Sequence, residues 1–343
     1  MGYVIKNYLK DGTCFDISQL ITKTQWGGDI RQSARKLTVD LAFGRDYYLP
    51  KYNPPLGSIL MLLGDSGELF RGVVFDNQKD TGGQYQVISY DHLIYLLKSK
   101  GTYKFGGMTP EAITKKLCSD FNILIGDLPA SGVSLDKLWL REKAIYDMIL
   151  AAWLEAADRN GKKYEIRMIQ GKLTVFEKQT QTLRWLITEG QNLISAAYSE
   201  NINDMKNRII IMGSDDGEDE VLATVDDPAL IAQYGLLQEM QRGGSIQSAE
   251  ALNIAQNMLK DLGRVSRESN IVCLGIDDVV AGVAIELQET LTGMTGTFYV
   301  DTDEHNIEGS QHTMNLKLNW TDDEFTVYWK GKDENQAEFV EPS

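Results

Sequence analysis

Lys36-Leu37-Thr38-Val39-Asp40-Leu41-Ala42-Phe43 alternates apolar with other side chains without a break. In an extended chain successive side chains point to opposite faces, so Leu37, Val39, Leu41 and Phe43 share one face of a half-buried strand. Outward from it, Pro54-Pro55 breaks the chain, Gly57 precedes the apolar run 59–63, and Gly64-Asp65-Ser66-Gly67 is a hairpin turn. The partner strand follows at 69–75, then the turn Thr81-Gly82-Gly83, then the alternating strand 85–90. Turn signals at this short spacing predict a small barrel or sandwich over residues 1–98.

The pattern changes near residue 100. Thr109-Pro110-Glu111 has the order of a helix start: cap, proline at the first position, acid on the dipole. Ile113, Leu117 and Phe121 follow on one face. A second helix is expected over 142–159, with Ile145, Ile149, Trp153 and Ala156 as its stripe and Asn160-Gly161 as its stop. A hairpin, 164–169 with 173–176 about Gln170-Gly171, completes an α+β domain over 99–188.

After residue 190 strands return at 193–198, 208–212 and 220–225. Asp227-Pro228 starts a short helix, and 248–262 reads as a longer one with Leu252, Ala255, Leu259 and Leu262 on its face. Strands resume at 282–288, 296–300 and 313–318. The stretch 189–330 thus reads as a second β domain with a helical insertion at 227–264, followed by an acidic tail, 331–343. A weak repeat links the β parts: Gly57 and Gly72 open successive strands before an alternating one, and Gly282 and Gly296 do the same before Thr313-Met314-Asn315-Leu316-Lys317-Leu318.

The 343 residues carry 49 acidic and 34 basic side chains, a net charge of −15. Residues 191–343 hold 28 acids against 9 bases, so the whole negative balance lies there. Nucleic-acid binding needs clustered Lys and Arg, which this surface lacks. The densest patch is Asp215-Asp216-Gly217-Glu218-Asp219-Glu220, followed by Asp226-Asp227. It reads as a solvated hairpin tip, or as an acidic surface that meets a basic partner or repels a passing polyanion. Mean hydropathy is −0.27 and no apolar run approaches a membrane-spanning length. The start, Met1-Gly2-Tyr3-Val4-Ile5-Lys6, has no signal-peptide core, and Cys14, Cys118 and Cys273 form no C-x-x-C, which suggests reduced thiols in a protein made in the cytosol.

Signs of chemistry are sparse. There is no H-E-x-x-H, Walker loop, G-x-G-x-x-G or G-x-S-x-G, and the three histidines are His92, His305 and His312. Asp301-Thr302-Asp303-Glu304-His305, with Glu308 and His312, is the best metal candidate, yet it fits neither a calcium loop nor a common zinc spacing. A polar β-turn is the expected alternative. Trp26 is weighed as a carbohydrate platform against an anchor at a strand edge or subunit contact. No catalytic, cofactor or metal residue is assigned.

Trp26-Gly27-Gly28-Asp29, Arg35-Lys36-Leu37-Thr38-Val39, Gly67-Glu68-Leu69-Phe70-Arg71-Gly72-Val73-Val74 and Tyr90-Asp91-His92-Leu93-Ile94-Tyr95-Leu96 resemble the XkdQ/YqbQ family of PBSX-like prophage proteins. So do Tyr146-Asp147-Met148-Ile149, Asn203-Asp204-Met205-Lys206-Asn207-Arg208, Tyr299-Val300-Asp301 and Gly309-Ser310-Gln311-His312-Thr313-Met314. The resemblance implies a structural, non-enzymatic baseplate hub of a contractile phage tail or phage-tail-like bacteriocin. It further implies a homotrimer with two tail-tube-like β-barrels per subunit, meeting tail tube, baseplate, tape measure and a separate spike protein. The competing expectations are a tail-associated peptidoglycan hydrolase and a cell-wall-binding module.

Overall fold

A computed structural model of the chain describes residues 2–30, 32–42, 52–65, 67–177, 185–215, 218–244 and 248–320. The first strands are β1 (Val4–Tyr8), β2 (Cys14–Asp16), β3 (Ile21–Asp29), β4 (Gln32–Leu41), β5 (Ile59–Gly64), β6 (Gly67–Lys79) and β7 (Tyr85–Tyr90). The alternation in β4 has the expected effect: Leu37, Val39 and Leu41 are buried, packed with Ile5, Trp26, Leu60, Leu62, Phe70 and Val87. Phe43 lies outside the described residues.

Next come α1 (Leu93–Lys98), β8 (Lys100–Phe105), α2 (Pro110–Asp120), β9 (Leu138–Ala144), α3 (Ile145–Asn160), β10 (Tyr164–Ile169) and β11 (Lys172–Glu177). Thr109 caps α2, its Oγ1 accepting from Ala112 N at 3.3 Å, and Pro110 follows at the first position. α3 ends at Gly161, whose φ of 70° is the left-handed conformation glycine adopts without strain. The two helices pack through buried Ile113, Leu117, Ile149 and Trp153, and Trp153 Nε1 donates to Thr114 Oγ1 at 3.0 Å. The sequence expectation of helix from residue 142 is corrected: Glu142, Lys143 and Ala144 end β9, which pairs antiparallel with β8 (Lys100 opposite Ala144).

The remaining elements are β12 (Leu186–Thr188), β13 (Leu193–Asn201), β14 (Arg208–Asp215), β15 (Glu218–Asp226), α4 (Pro228–Tyr234), β16 (Gln238–Gly244), α5 (Ser248–Leu262), β17 (Ser266–Leu274), β18 (Ala284–Gln288), β19 (Thr295–Glu308) and β20 (Gln311–Asn319). Contacts divide the chain into two compact units, Met1–Ala196 with Asn270–Thr326, and Ala197–Ser269 with Val327–Ser343. In the second unit β15-β14-β16 form their own sheet, and α5 covers it with buried Ala251 and Ala255 against Ile209, Ile211 and Ala223. Leu252, expected on that apolar face, is instead exposed.

The large sheet runs β13-β17-β20-β19-β3-β4-β7-β6-β5-β1-β2, with β12 joined through β18. It contains one strand order twice, β3-β4-β7-β6-β5-β1 and β13-β17-β20-β19-β18-β12, each visited in the same succession along the chain. Backbone hydrogen bonds match position by position. Gly57 N donates to Val74 O and Val74 N to Ser58 O; Gly282 N donates to Val300 O and Val300 N to Val283 O. Directly after Val74 and Val300 each long strand carries one extra residue, Phe75 and Asp301, where the register shifts by a bulge. Ala42 N donates to Leu20 O, and Leu274 N to Asn192 O. The repeat read from the glycines is therefore a duplicated module. The copies differ in that β1 runs antiparallel to β5 but β12 parallel to β18, and in that residues 202–265 stand where β3 turns almost directly into β4.

Two separate closed barrels do not occur among the described residues. The pairings trace an open path, and the copies share one sheet because β19 is long enough to pair twice on one side. Its first part pairs with β18 (Thr295–Tyr299), and its later part with β3 (Thr302–Ile307).

Candidate functional site

The pairing of β3 with β19 brings together residues that lie far apart in sequence. His305 sits opposite Trp26, Glu304 opposite Gly27 and Asp303 opposite Gly28. The two glycines have a steric reason. A Cβ on Gly27 would lie 2.3 Å from the Asp303 carbonyl oxygen, and one on Gly28 2.6 Å from Arg35 Nη1. Without those carbons the backbone of β19 closes onto β3 and Arg35 reaches across it from β4. Gly27→Ala is expected to destabilise the first unit by about 1–3 kcal/mol, the usual cost of overpacking a fitted interior, as a lower midpoint in urea denaturation.

Arg35 grips Asp303 with both arms of its guanidinium, Nη1 to Oδ1 at 2.8 Å and Nη2 to Oδ2 at 2.6 Å. Asp303 is buried and also accepts from Ala281 N at 2.6 Å. Burial alone would raise its pKa. The neighbouring Arg35, with the His305 hydrogen bond, outweighs burial and holds the carboxyl well below the usual carboxylate range. Arg35 also lies 4.6 Å from the centre of the Trp26 ring, and the His305 ring lies tilted against the same ring, with centroids 4.5 Å apart.

From His305 a chain of hydrogen bonds runs outward. A carbonyl oxygen can only accept, so His305 Nε2 donates to Val279 O at 3.0 Å. His305 Nδ1 and His312 Nε2 are 2.9 Å apart, His312 Nδ1 and Tyr3 Oη 2.7 Å, and Tyr3 Oη donates to Asp277 Oδ1 at 2.8 Å. Tyr3 has one hydroxyl proton, donated to Asp277, so His312 Nδ1 donates to Tyr3 and its bare Nε2 faces His305 Nδ1. His305 Nε2 also lies 3.4 Å from Asp303 Oδ2. Burial, with the nearby His305, pushes His312 down to about 4. Gly275 leaves room for its ring, because a Cβ there would lie 2.0 Å from His312 Cγ.

This arrangement corrects the reading of 301–308 as a polar turn. These residues continue β19, and the turn falls at Gly309-Ser310. Asp301, Asp303, His305 and Ile307 alternate inward, a period-two pattern visible in the sequence but hidden by its polarity. Among the described residues no group of three or more His, Cys, Asp or Glu stands close enough to hold a metal ion. The carboxylate, the two histidines and the tyrosine that converge are instead bonded within the cluster, as in a structural clasp, while the buried Trp26 Nε1 and Arg35 Nε have no hydrogen-bond partner. Trp26 is 3% exposed and cannot offer a ring face to a sugar.

The acidic residues singled out in the sequence lie in the second unit. Asp215 pairs with Glu218, and Asp219 and Glu220 with Ser214 and Gly213, at the β14–β15 hairpin; Asp216 lies outside the described residues. Glu220 is exposed. Asp226 is held by Arg208 through two 2.7 Å hydrogen bonds, and Asp227 caps α4, its Oδ1 accepting from Leu230 N at 3.0 Å. These last two have structural partners; Asp215, Glu218, Asp219 and Glu220 lie at the end of the β14–β15 hairpin.

A family model described as YQBQ-like matches residues 24–319, from β3 through β20. The chain belongs to the YQBQ-like family. Two Bacillus subtilis (strain 168) relatives, the uncharacterized protein YqbQ and the phage-like element PBSX protein XkdQ, are each 28% identical over 270 residues. That is 78% of this chain and 82% of theirs. Among solved structures it is similar to the 43 kDa tail protein of prophage MuSo2 from Shewanella oneidensis, with TM-score 0.67 and 12% identity over 92% of this chain and 98% of that one. A tail protein from Neisseria meningitidis MC58 gives 0.66 and 14% over 95% and 99%. Such identities show a shared fold: this YQBQ-like chain is mainly β and built like phage tail proteins. Among the described residues no helix is long and apolar enough to cross a membrane.

Proposed function

We propose that this YQBQ-like protein is a structural, non-enzymatic baseplate hub of a phage tail or phage-tail-like bacteriocin, released from the cell as part of that particle. The observation that carries the reading is the duplicated module. Three chains with two like modules each present six, so a threefold assembly can dock on a sixfold tube. On this reading residues 1–98 and 189–330 supply the tube-like domains, 99–188 a side lobe, and 227–264 an excursion. Tail tube, baseplate and tape measure proteins and a separate spike are the partners. The buried clasp supports a structural role over a hydrolytic one: its carboxylate and histidines are enclosed and bonded to each other, with no open position for a substrate.

Light scattering on the purified chain tests the assembly. The expected mass is three times 38.5 kDa, and a stable monomer or a closed dimer overturns the trimer. The charge of residues 191–343 adds a second expectation. A channel that passes DNA or a tape measure protein should not bind it, so a share of those acids is expected to face the lumen, with the 215–220 tip at a rim. In a structure of the assembled particle, acids counted by distance from the threefold axis decide this, and a neutral or basic lumen refutes it.

A further inference from the structure

Comparing the two copies shows what the second lacks. In the first, the outer edge of β3 is covered by β19. The counterpart of β3 is β13, also nine residues long, and among the described residues the sheet ends at β13 with nothing paired to its outer side. The counterpart of the covering stretch, 302–307, begins at Asp76 in β6, just past the Phe75 bulge. There β6 pairs with β7 through Asp76–Lys79, but β5 reaches only as far as Val73, so the other edge of 76–79 carries no strand among the described residues.

A second observation falls at the same place. Asn77 holds the position of Asp303. Asp303 Oδ1 accepts from Ala281 N, in the segment just before Gly282, and Asn77 Nδ2 donates to Pro54 O, in the matching segment before Gly57. Asp303 has Arg35 on both oxygens, whereas Asn77 Oδ1 is buried with no hydrogen-bond partner. A buried acceptor left unmade costs about 1–3 kcal/mol, so such atoms are uncommon unless something not yet present fills them. The counterpart of Arg35 on β17 is Arg267, 56% exposed and paired with Glu200 of β13.

We propose that β13 of one copy of this chain adds antiparallel to residues 76–79 of β6 in the next copy, repeating between chains the pairing that joins β3 to β19 within one. The equivalences set the register: Asn201 opposite Asp76, Glu200 opposite Asn77, Ser199 opposite Gln78, Tyr198 opposite Lys79. Arg267 of the partner copy then stands where Arg35 stands, beside the empty Asn77 Oδ1. Because one edge of each copy meets a different edge of the next, the contact is head-to-tail, and in the threefold hub it would close a ring of three. This inference rests on the hub reading and specifies its interface.

Cysteines at Gln78 and Ser199 test it in a Cys14→Ser background, since Cys118 and Cys273 are buried. Directly opposed residues on neighbouring antiparallel strands come within disulfide reach. Oxidation of Q78C/S199C is expected to give a covalent three-chain species as the main product, and the same-face pair Q78C/A197C, two residues out of register, far less of it. Hydrogen exchange on the unaltered chain gives a second readout: amides in 76–79 and 198–201 should slow once the protein assembles. A three-chain mass without the Gln78–Ser199 link and without that protection overturns the edge pairing and leaves the hub reading standing. A monomer at every concentration, unlinked and unprotected, overturns both.

Discussion

Arg35→Ala is expected to cost the first unit about 3–5 kcal/mol, because it leaves Asp303 ionised, buried and without its counter-charge. With about 2–4 °C lost per kcal/mol in a unit of this size, the melting transition should fall by roughly 10 °C. Asp303→Ala should cost a similar amount, stranding the guanidinium instead. The double replacement Arg35→Met with Asp303→Leu should recover most of the loss, since removing both charges avoids an uncompensated one. Circular dichroism during heating reads all three. A single-variant loss under about 1 kcal/mol would place the pair among solvated ion pairs, in conflict with its burial.

The second large effect is in pH. His312 lies at about 4 in the folded chain against an ordinary 6.5, so between those values the unfolded chain binds the extra proton. Stability is therefore lost as the pH falls from about 6.5 to about 4, by about 3 kcal/mol at one unit per 1.36 kcal/mol. Asp91 works the other way. Burial raises its carboxyl to about 7, against the backbone N–H groups of Arg35 and Leu93 and the charge of Arg35, so the folded form holds a proton that the unfolded form releases above about 4. It stabilises the fold as the pH falls through that same window. The sum is nearly flat and hides both, so the test is a difference. His312→Gln should lose the acid-side penalty and turn the profile toward greater stability at pH 5 than at pH 7. An unchanged profile would mean that His312 titrates as it does in water.

The modules were legible in the sequence because hairpin strands of this fold alternate and glycine marks their starts. Gly57 and Gly282 have φ of +80° and +93°, conformations that side chains resist, so the chain had to write them as glycine. The capped start of α2 and the Gly161 stop of α3 are equally local. The clasp was not legible, because the bonds that join Arg35 to Asp303 and Tyr3 to His312 span 268 and 309 residues, and its inward positions are occupied by Asp and His, residue types that in isolation point to solvent or to a turn. Trp26-Gly27-Gly28 stands out in the sequence as part of a resemblance and Trp26 as a platform or anchor, but the cause of the two glycines, the approach of Arg35 and Asp303, is tertiary. The join between the modules was missed for the same reason, since nothing in either strand names its neighbour across the sheet.

The seam also imposes an order on synthesis. β3 leaves the ribosome early, yet the strand that covers its edge is made roughly 280 residues later, as the separation of Gln25 from Asn306 shows. At about 5–20 residues per second, that edge waits on the order of 15–60 s, with Arg35 lacking its counter-ion throughout. Contacts of such long range close slowly, and an unpaired strand edge invites the wrong partner while it is bare. A truncated chain that stops before β19 would keep that edge open for good. Nascent-chain quality control is therefore expected to act on this seam, with chaperone occupancy highest on chains that have passed β7 and not yet reached Asp303.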